Sequence, residues 1–237
     1  MGDSADPSAV SVSAATLSAK GGRDTVGPEG FIHRGMETAE FHRHLRFASR
    51  CPSEQRHILF SALHSHALAT YLHAVRSIDV RAATLVSSDG RSIAAVVTHI
   101  AAWDRWTLRA MREIASGSDS PGILTLDGYP CDDGRVRGFD SVDAFNEHAA
   151  RVSQRTAWPT IREMAVVAGV ALYHLCCDPA AVPAERLSAT PPLTWRESDR
   201  EVPREMPAGW LLWAKAIEHE GFSHIVDLES SADTVAG

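Results

Sequence analysis

Residues Pro207–Ser230 read PAGWLLWAKAIEHEGFSHIVDLES. Apolar side chains recur here at three- and four-residue intervals, the period of an amphipathic helix and not of a strand. On a wheel of about 100° per residue, Trp213, Ile217, Glu220, His224 and Leu228 form one stripe. The outer members of that stripe are apolar, so it faces a core and carries a glutamate and a histidine inward. His219 stands about 140° from His224 on the same wheel. The wheel therefore pairs His224 with Glu220, one turn apart, and not with His219.

Working outward, the chain predicts three more long helical segments. Ser53–Ile78 (SEQRHILFSALHSHALATYLHAVRSI) carries helical-period apolar positions, among them Ile58, Leu63, Leu68 and Val75, with Ser53 as a candidate N-cap. A second segment follows the Asp89-Gly90 break, with Ser92 as its cap and Gly117 as its stop. A third runs from Asp140 or Ser141 to Cys177, with a kink or break at Trp158-Pro159. Two long connections join the last three segments; GILTL, residues 122–126, is the one short piece with an extended look. Four amphipathic helices with two long loops argue for an all-α bundle. The predicted domain spans residues 53–231. Residues 1–52 form an extension rich in Ser, Ala and Gly, loosely attached but with a short helix before Cys51, and 232–237 form a tail.

Composition narrows the function classes. The 237 residues carry a net charge of −7 without a basic block, which is no footprint for nucleic acid. Four cysteines without a C-x-x-C pair make no disulfide framework and fit a reduced compartment. The sequence shows neither a secretory signal nor an uninterrupted apolar run long enough to span a bilayer. The expectation is a soluble, cytoplasmic protein whose partner is a small molecule, with no nucleic acid and no membrane. No Ser/His/Asp order, phosphate loop or nucleotide fingerprint appears.

His99, in VVTHIAAWDRW, lies on an apolar stripe of the second helix with Val96, Trp103, Trp106 and Ala110. A bundle can build a metal site from an i,i+4 pair on one helix and one group from a neighbour. His99, Glu220 and His224 would make such a three-ligand site, suited to Zn²⁺ and open also to Ni²⁺, Fe²⁺ or Mn²⁺. The same residues are also readable as hydrogen-bonded core groups, the commoner place for a buried histidine, and the residues alone leave both readings open. His57, His64, His66 and His73 read as solvated or core-lining groups. Asp104 and Arg105 read as a solvated pair, and Asn146 as a capping or loop-binding residue.

Two stretches carry a family resemblance. LVSSDGRSIAAVVTHIAAWDRW, residues 85–106, resembles the second-helix start of the DinB-like superfamily: a serine cap, then a histidine shortly before Ala-Ala-Trp. DSVDAFNEHAARVSQRTAWPTIREMAVVAG, residues 140–169, is similar to the opening of helix three in many members. The resemblance implies a four-helix bundle over roughly residues 60–230. It implies a metal held by a helix-two histidine and a His-x-x-x-His or Glu-x-x-x-His pair on helix four, positions that His99, Glu220 and His224 match. The superfamily includes mycothiol-dependent maleylpyruvate isomerases, bacillithiol transferases and colibactin self-resistance-type proteins, and its members often form homodimers. The implied activity is metal-dependent transfer or isomerisation with a low-molecular-weight thiol as cosubstrate. The alternatives are a water-dependent hydrolase or ring-opening self-resistance protein and a non-catalytic ligand-binding bundle. Trp103, Trp195 and Trp210 are the candidate apolar walls of the pocket.

Overall fold

Ser92 is extended (φ −67°, ψ 151°) and its hydroxyl accepts the Ala95 N–H at 3.2 Å, so the helix Ile93–Ala115 begins at its expected cap. It closes in a Schellman motif, Gly117 N–H donating to the Ile114 carbonyl and Ser118 N–H to the Glu113 carbonyl, both at 2.9 Å. This helix is α3 in a computed structural model that describes residues 38–193, 196–197, 200–201 and 205–236. The described residues make an all-α fold with a few two-residue strands. Most of the extension expected at the N-terminus, residues 1–37, lies outside the described residues.

Before α3 come α1 (Thr38–Ala48) and α2 (Ser53–Ser77). Ser53 is not the cap of α2: Pro52 holds that position, and the Ser53 hydroxyl instead meets that of Ser188 at 2.8 Å. α2 buries Phe60, Ala67, Leu68, Tyr71 and Val75, while Ile58 faces out. α1 inserts Phe41 and Leu45 fully into the core, with Phe41 stacked on Phe222 at 4.5 Å between ring centroids. The described core accordingly includes α1, ahead of residue 53.

After α3, the segment Gly122–Thr125 is a 3₁₀ turn, not the extended piece that GILTL suggested; Glu113 on α3 accepts the Gly122 N–H at 2.8 Å and fixes the turn. A short antiparallel hairpin follows, β1 (Tyr129–Pro130) with β2 (Val136–Arg137). Ser141 caps α4 (Val142–Arg155) by accepting the Ala144 N–H at 3.1 Å. The chain then breaks, and α5 (Trp158–Cys177) starts with Pro159 in its first turn, where a missing N–H costs nothing. The Trp158 indole N–H donates to the Ile78 carbonyl at 3.1 Å and ties this start to the end of α2.

The second long connection holds α6 (Ala184–Ala189) and three strand pieces, β3 (Pro192–Leu193), β4 (Arg196–Glu197) and β5 (Arg200–Glu201). β4 pairs with β5, and β3 pairs with β6 (Met206–Pro207), which leads into α7 (Ala208–Glu218). Here the single helix expected over Pro207–Ser230 divides. A π turn, His219–Ser223, separates α7 from α8 (Ile225–Ala236). Residues 232–236, expected as a tail, continue α8.

α3 packs on α4 and α5; α2 packs on α5, α7 and the π turn. One cluster of the core gathers Phe41, Phe60, Trp210, Trp213 and Phe222, and a second gathers Tyr71, Ile78, Val97, Ile100 and Trp158. Each fully buried large side chain contributes about 1.5–3 kcal/mol relative to exposure. α5 is also long and apolar enough to cross a membrane by length and composition, with a mean hydropathy of 1.3, a test that core helices of soluble proteins pass as well.

Candidate metal centre

His99 projects from the second turn of α3 and is 8% exposed. His219 and His224 stand at either end of the π turn. The His99 ring centroid lies 5.4 Å from that of His219 and 5.6 Å from that of His224, and the last two rings stack at 6.0 Å. One ring nitrogen of each lies within 4.8 Å of the other two, close enough to hold a metal ion. Among the described residues the buried His99 Nδ1 has no hydrogen-bond partner, an orphaned lone pair or proton of the kind a ligand site leaves.

The partners of His99 are therefore His219 and His224. Glu220, expected as the third ligand, faces elsewhere. The reason is the π turn. Its i→i+5 hydrogen bonds place one more residue in the turn, so residues five apart become the neighbours that residues four apart are in an α-helix. Gly221 permits this close seating: a Cβ there would stand 2.6 Å from Ala67 Cβ and 2.9 Å from Ala67 Cα on α2.

Burial pushes the His99 imidazole down to about 3, with the charges of Arg91 and His224 adding to the effect. Burial, then the neighbouring His99 and His224, drive His219 well below its ordinary value. Burial and Arg91 lower His224 as well. Neutral imidazoles are the ligating form, so near pH 7 all three rings are ready to coordinate.

His99 and His219 also line a cavity of about 390 Å³ with Trp103, Leu212, Asn146 and Lys215. Trp103, expected as a wall, is one. Its indole N–H donates to Asn146 Oδ1 at 3.2 Å, which sets the amide at the cavity. Lys215 Nζ holds Glu218 Oε2 at 2.6 Å. Trp210 is not a wall of this cavity: it is fully buried, stacks on Trp213 at 5.9 Å and donates to Ser188 Oγ at 2.9 Å. Trp195 lies outside the described residues.

Glu220 is buried, as its stripe required, but among α2, α3 and α5. Its Oε2 lies 3.1 Å from His64 Nε2, off the line of a good hydrogen bond. Trp213 donates its indole N–H to His64 Nδ1 at 2.9 Å. Asp104, read from sequence as solvated, is fully buried beside it, and neither carboxyl has a hydrogen-bond partner among the described residues. Burial pushes both carboxyls well up, and the nearby Glu220 raises Asp104 further.

No protein-family profile matches the chain, and no curated protein or solved structure does either.

The sequence reading missed His219, which a straight helical wheel discards, and Lys215. One signal for the former was available: a glycine inside a helical pattern marks a close backbone approach. Gly221 lies between two histidines five apart.

Proposed function

We propose that the chain is a metal-dependent enzyme of the DinB-like four-helix-bundle class that acts on a reactive small molecule, by thiol-dependent transfer or isomerisation. The observation that carries this reading is the meeting of three neutral imidazoles, two of which line a cavity of about 390 Å³. That volume lies in the range of small-molecule sites. His99, His219 and His224 hold the ion, and an all-nitrogen set of three favours Zn²⁺ ahead of Ni²⁺, Fe²⁺ or Mn²⁺. Zinc on three protein ligands supplies a Lewis acid that lowers the pKa of a thiol or water to near neutrality.

The chain's own residues do the rest. Trp103 and Leu212 offer apolar wall to the substrate body. Asn146 presents its amide, whose oxygen is oriented by the Trp103 N–H, and Lys215 brings an ammonium that attracts negative charge on the substrate or cosubstrate. A mycothiol-type thiol is the cosubstrate that the family resemblance supports. The reading goes with a cytoplasmic, homodimeric protein whose partner is a small molecule, and its net charge of −7 gives no reason to add nucleic acid.

The test is turnover of a soft electrophile by protein purified without a histidine tag, with and without added thiol. Activity is expected to require thiol, to vanish on chelation and to return with Zn²⁺. Metal-dependent turnover with water alone would replace the transferase by the hydrolase. Ligand binding without turnover, insensitive to chelation, would make the protein a binding bundle.

A further inference from the structure

A second cavity, of about 240 Å³, is also bordered by α3 and α4 and shares no residue with the cavity at the histidines. Ala102 and Arg105 come to it from α3, His148 and Ala149 from α4, and the β1–β2 hairpin closes it. Ala102 and Ala149 are buried and leave the space that larger side chains would fill; Val152 and Met164 extend this apolar floor. The volume lies below the range of drug-sized ligands, so an occupant is compact.

The charged groups of the cavity are unevenly placed. The Arg105 side chain is 22% exposed and held in one orientation. Its Nη1 donates to Asp132 Oδ1 at 2.5 Å and its Nη2 to the Pro130 carbonyl at 3.1 Å, with Cζ 5.9 Å from the Tyr129 ring centroid. These bonds use one N–H on each terminal nitrogen; among the described residues Nε and the remaining N–H groups have no partner. Arg137 stands at the exposed rim. The carboxylates of Asp132 and Asp133 are 70% and 55% exposed, so water and salt screen them.

Neighbouring groups register the imbalance. Burial raises the Cys131 thiol, and among the charges around it Arg137, which lowers it, ranks ahead of Asp133. Burial lowers His148, and Arg137 and Arg151 add to this ahead of the opposing Asp132. Burial pushes Tyr129 up to about 12, and there Arg105 opposes it more strongly than Asp132 supports it. The field inside is therefore positive and favours a negative group over a neutral or positive one.

We propose that this cavity binds a small carboxylate with a compact apolar body. The Arg105 guanidinium takes the carboxylate, to which its fork of N–H groups is matched, and Arg137 adds charge at the rim. The floor of Ala102, Ala149, Val152 and Met164 receives the body. The site does not depend on the three-histidine reading.

The probe is benzoate, titrated into the untagged full chain and followed by amide chemical shifts, with benzamide, benzylammonium and inorganic phosphate as comparisons. Prior chelation removes any ion that would take a carboxylate at the histidines. Saturable shifts are expected at Ala102, Cys131 and Ala149, without shifts at Asn146 and His219. Benzamide and benzylammonium should bind at least about tenfold more weakly. Arg105→Gln is expected to weaken benzoate about 10–100-fold, and Arg137→Ala up to about fivefold. Val152→Phe fills the floor, keeps every charge and is expected to abolish saturation.

Absence of saturable shifts with benzoate would overturn the proposal, as would shifts centred on Asn146 and His219. Equal binding of benzamide, tighter binding of benzylammonium or phosphate, or unchanged benzoate affinity in Arg105→Gln would do the same. Should Arg105→Gln lose its fold along with its hold on the hairpin, the other two variants decide. Unchanged benzoate affinity in both Arg137→Ala and Val152→Phe would then count against the site.

Discussion

His99 shows what burial does to an imidazole. Its imidazole titrates near 3 in the folded chain against 6.5 ordinarily, because burial disfavours the charged ring. The unfolded chain therefore binds the proton first. The stability tied to this group is complete above about pH 6.5 and is lost as the pH falls toward 3. Urea denaturation of the chelated protein across that window should show the decline, and His99→Gln should flatten it. Asp104 has the opposite sign. Its carboxyl is pushed well above the usual range, so its contribution is present in acid and lost as the pH rises. Replacing Asp104 by Asn is expected to favour the folded state more at pH 8 than at pH 5, measured the same way; an equal effect at both pH values would deny the buried charge. Of the site residues, His99 and His224 were legible because each lies on an apolar stripe of its own helix. His219 was not, because its place depends on a turn that only packing against α2 selects.

The elements were legible where local chemistry decides them. Ser92 caps the helix it was expected to cap, Ser141 is one of the two starts expected for the third segment, and Pro159 marks the break before α5. Legibility failed where a tertiary partner overrides the local pattern. Glu113 turns residues 122–125 into a 3₁₀ piece, and the close seating of Gly221 on Ala67 goes with a π turn where the period continued as α-helix. That last contact has a measurable consequence. Gly221→Ala would force a Cβ to within 2.6 Å of Ala67, so something must move. The expected cost is about 1–3 kcal/mol in chemical denaturation. Metal affinity should drop as well, since the turn that shifts also carries His219. A folded Gly221→Ala variant with wild-type stability and affinity would show that the seating is loose.

At the scale of the whole molecule, α1 belongs to the core, although the sequence grouped it with the extension. Its amphipathic face was readable, but its destination, the ring of Phe222 and the core cluster that also holds Trp210 and Trp213, depends on contacts far apart in the chain. Phe41→Ala would open a cavity there, and a loss of about 3–5 kcal/mol is expected by urea denaturation. A loss below about 1 kcal/mol would mean that α1 is dispensable. This packing reaches the site as well, because His42 on α1 contacts Glu218 at 3.3 Å, one residue before the π turn. α1 therefore packs beside the turn that carries His219.

The most direct test of the central claim is an X-ray absorption spectrum at the zinc edge of the untagged chain loaded with one equivalent of Zn²⁺. Three imidazoles and no protein carboxylate are expected, falling to two imidazoles in His219→Ala. A carboxylate in place of the third imidazole, or a shell unchanged by His219→Ala, would contradict the three-histidine centre.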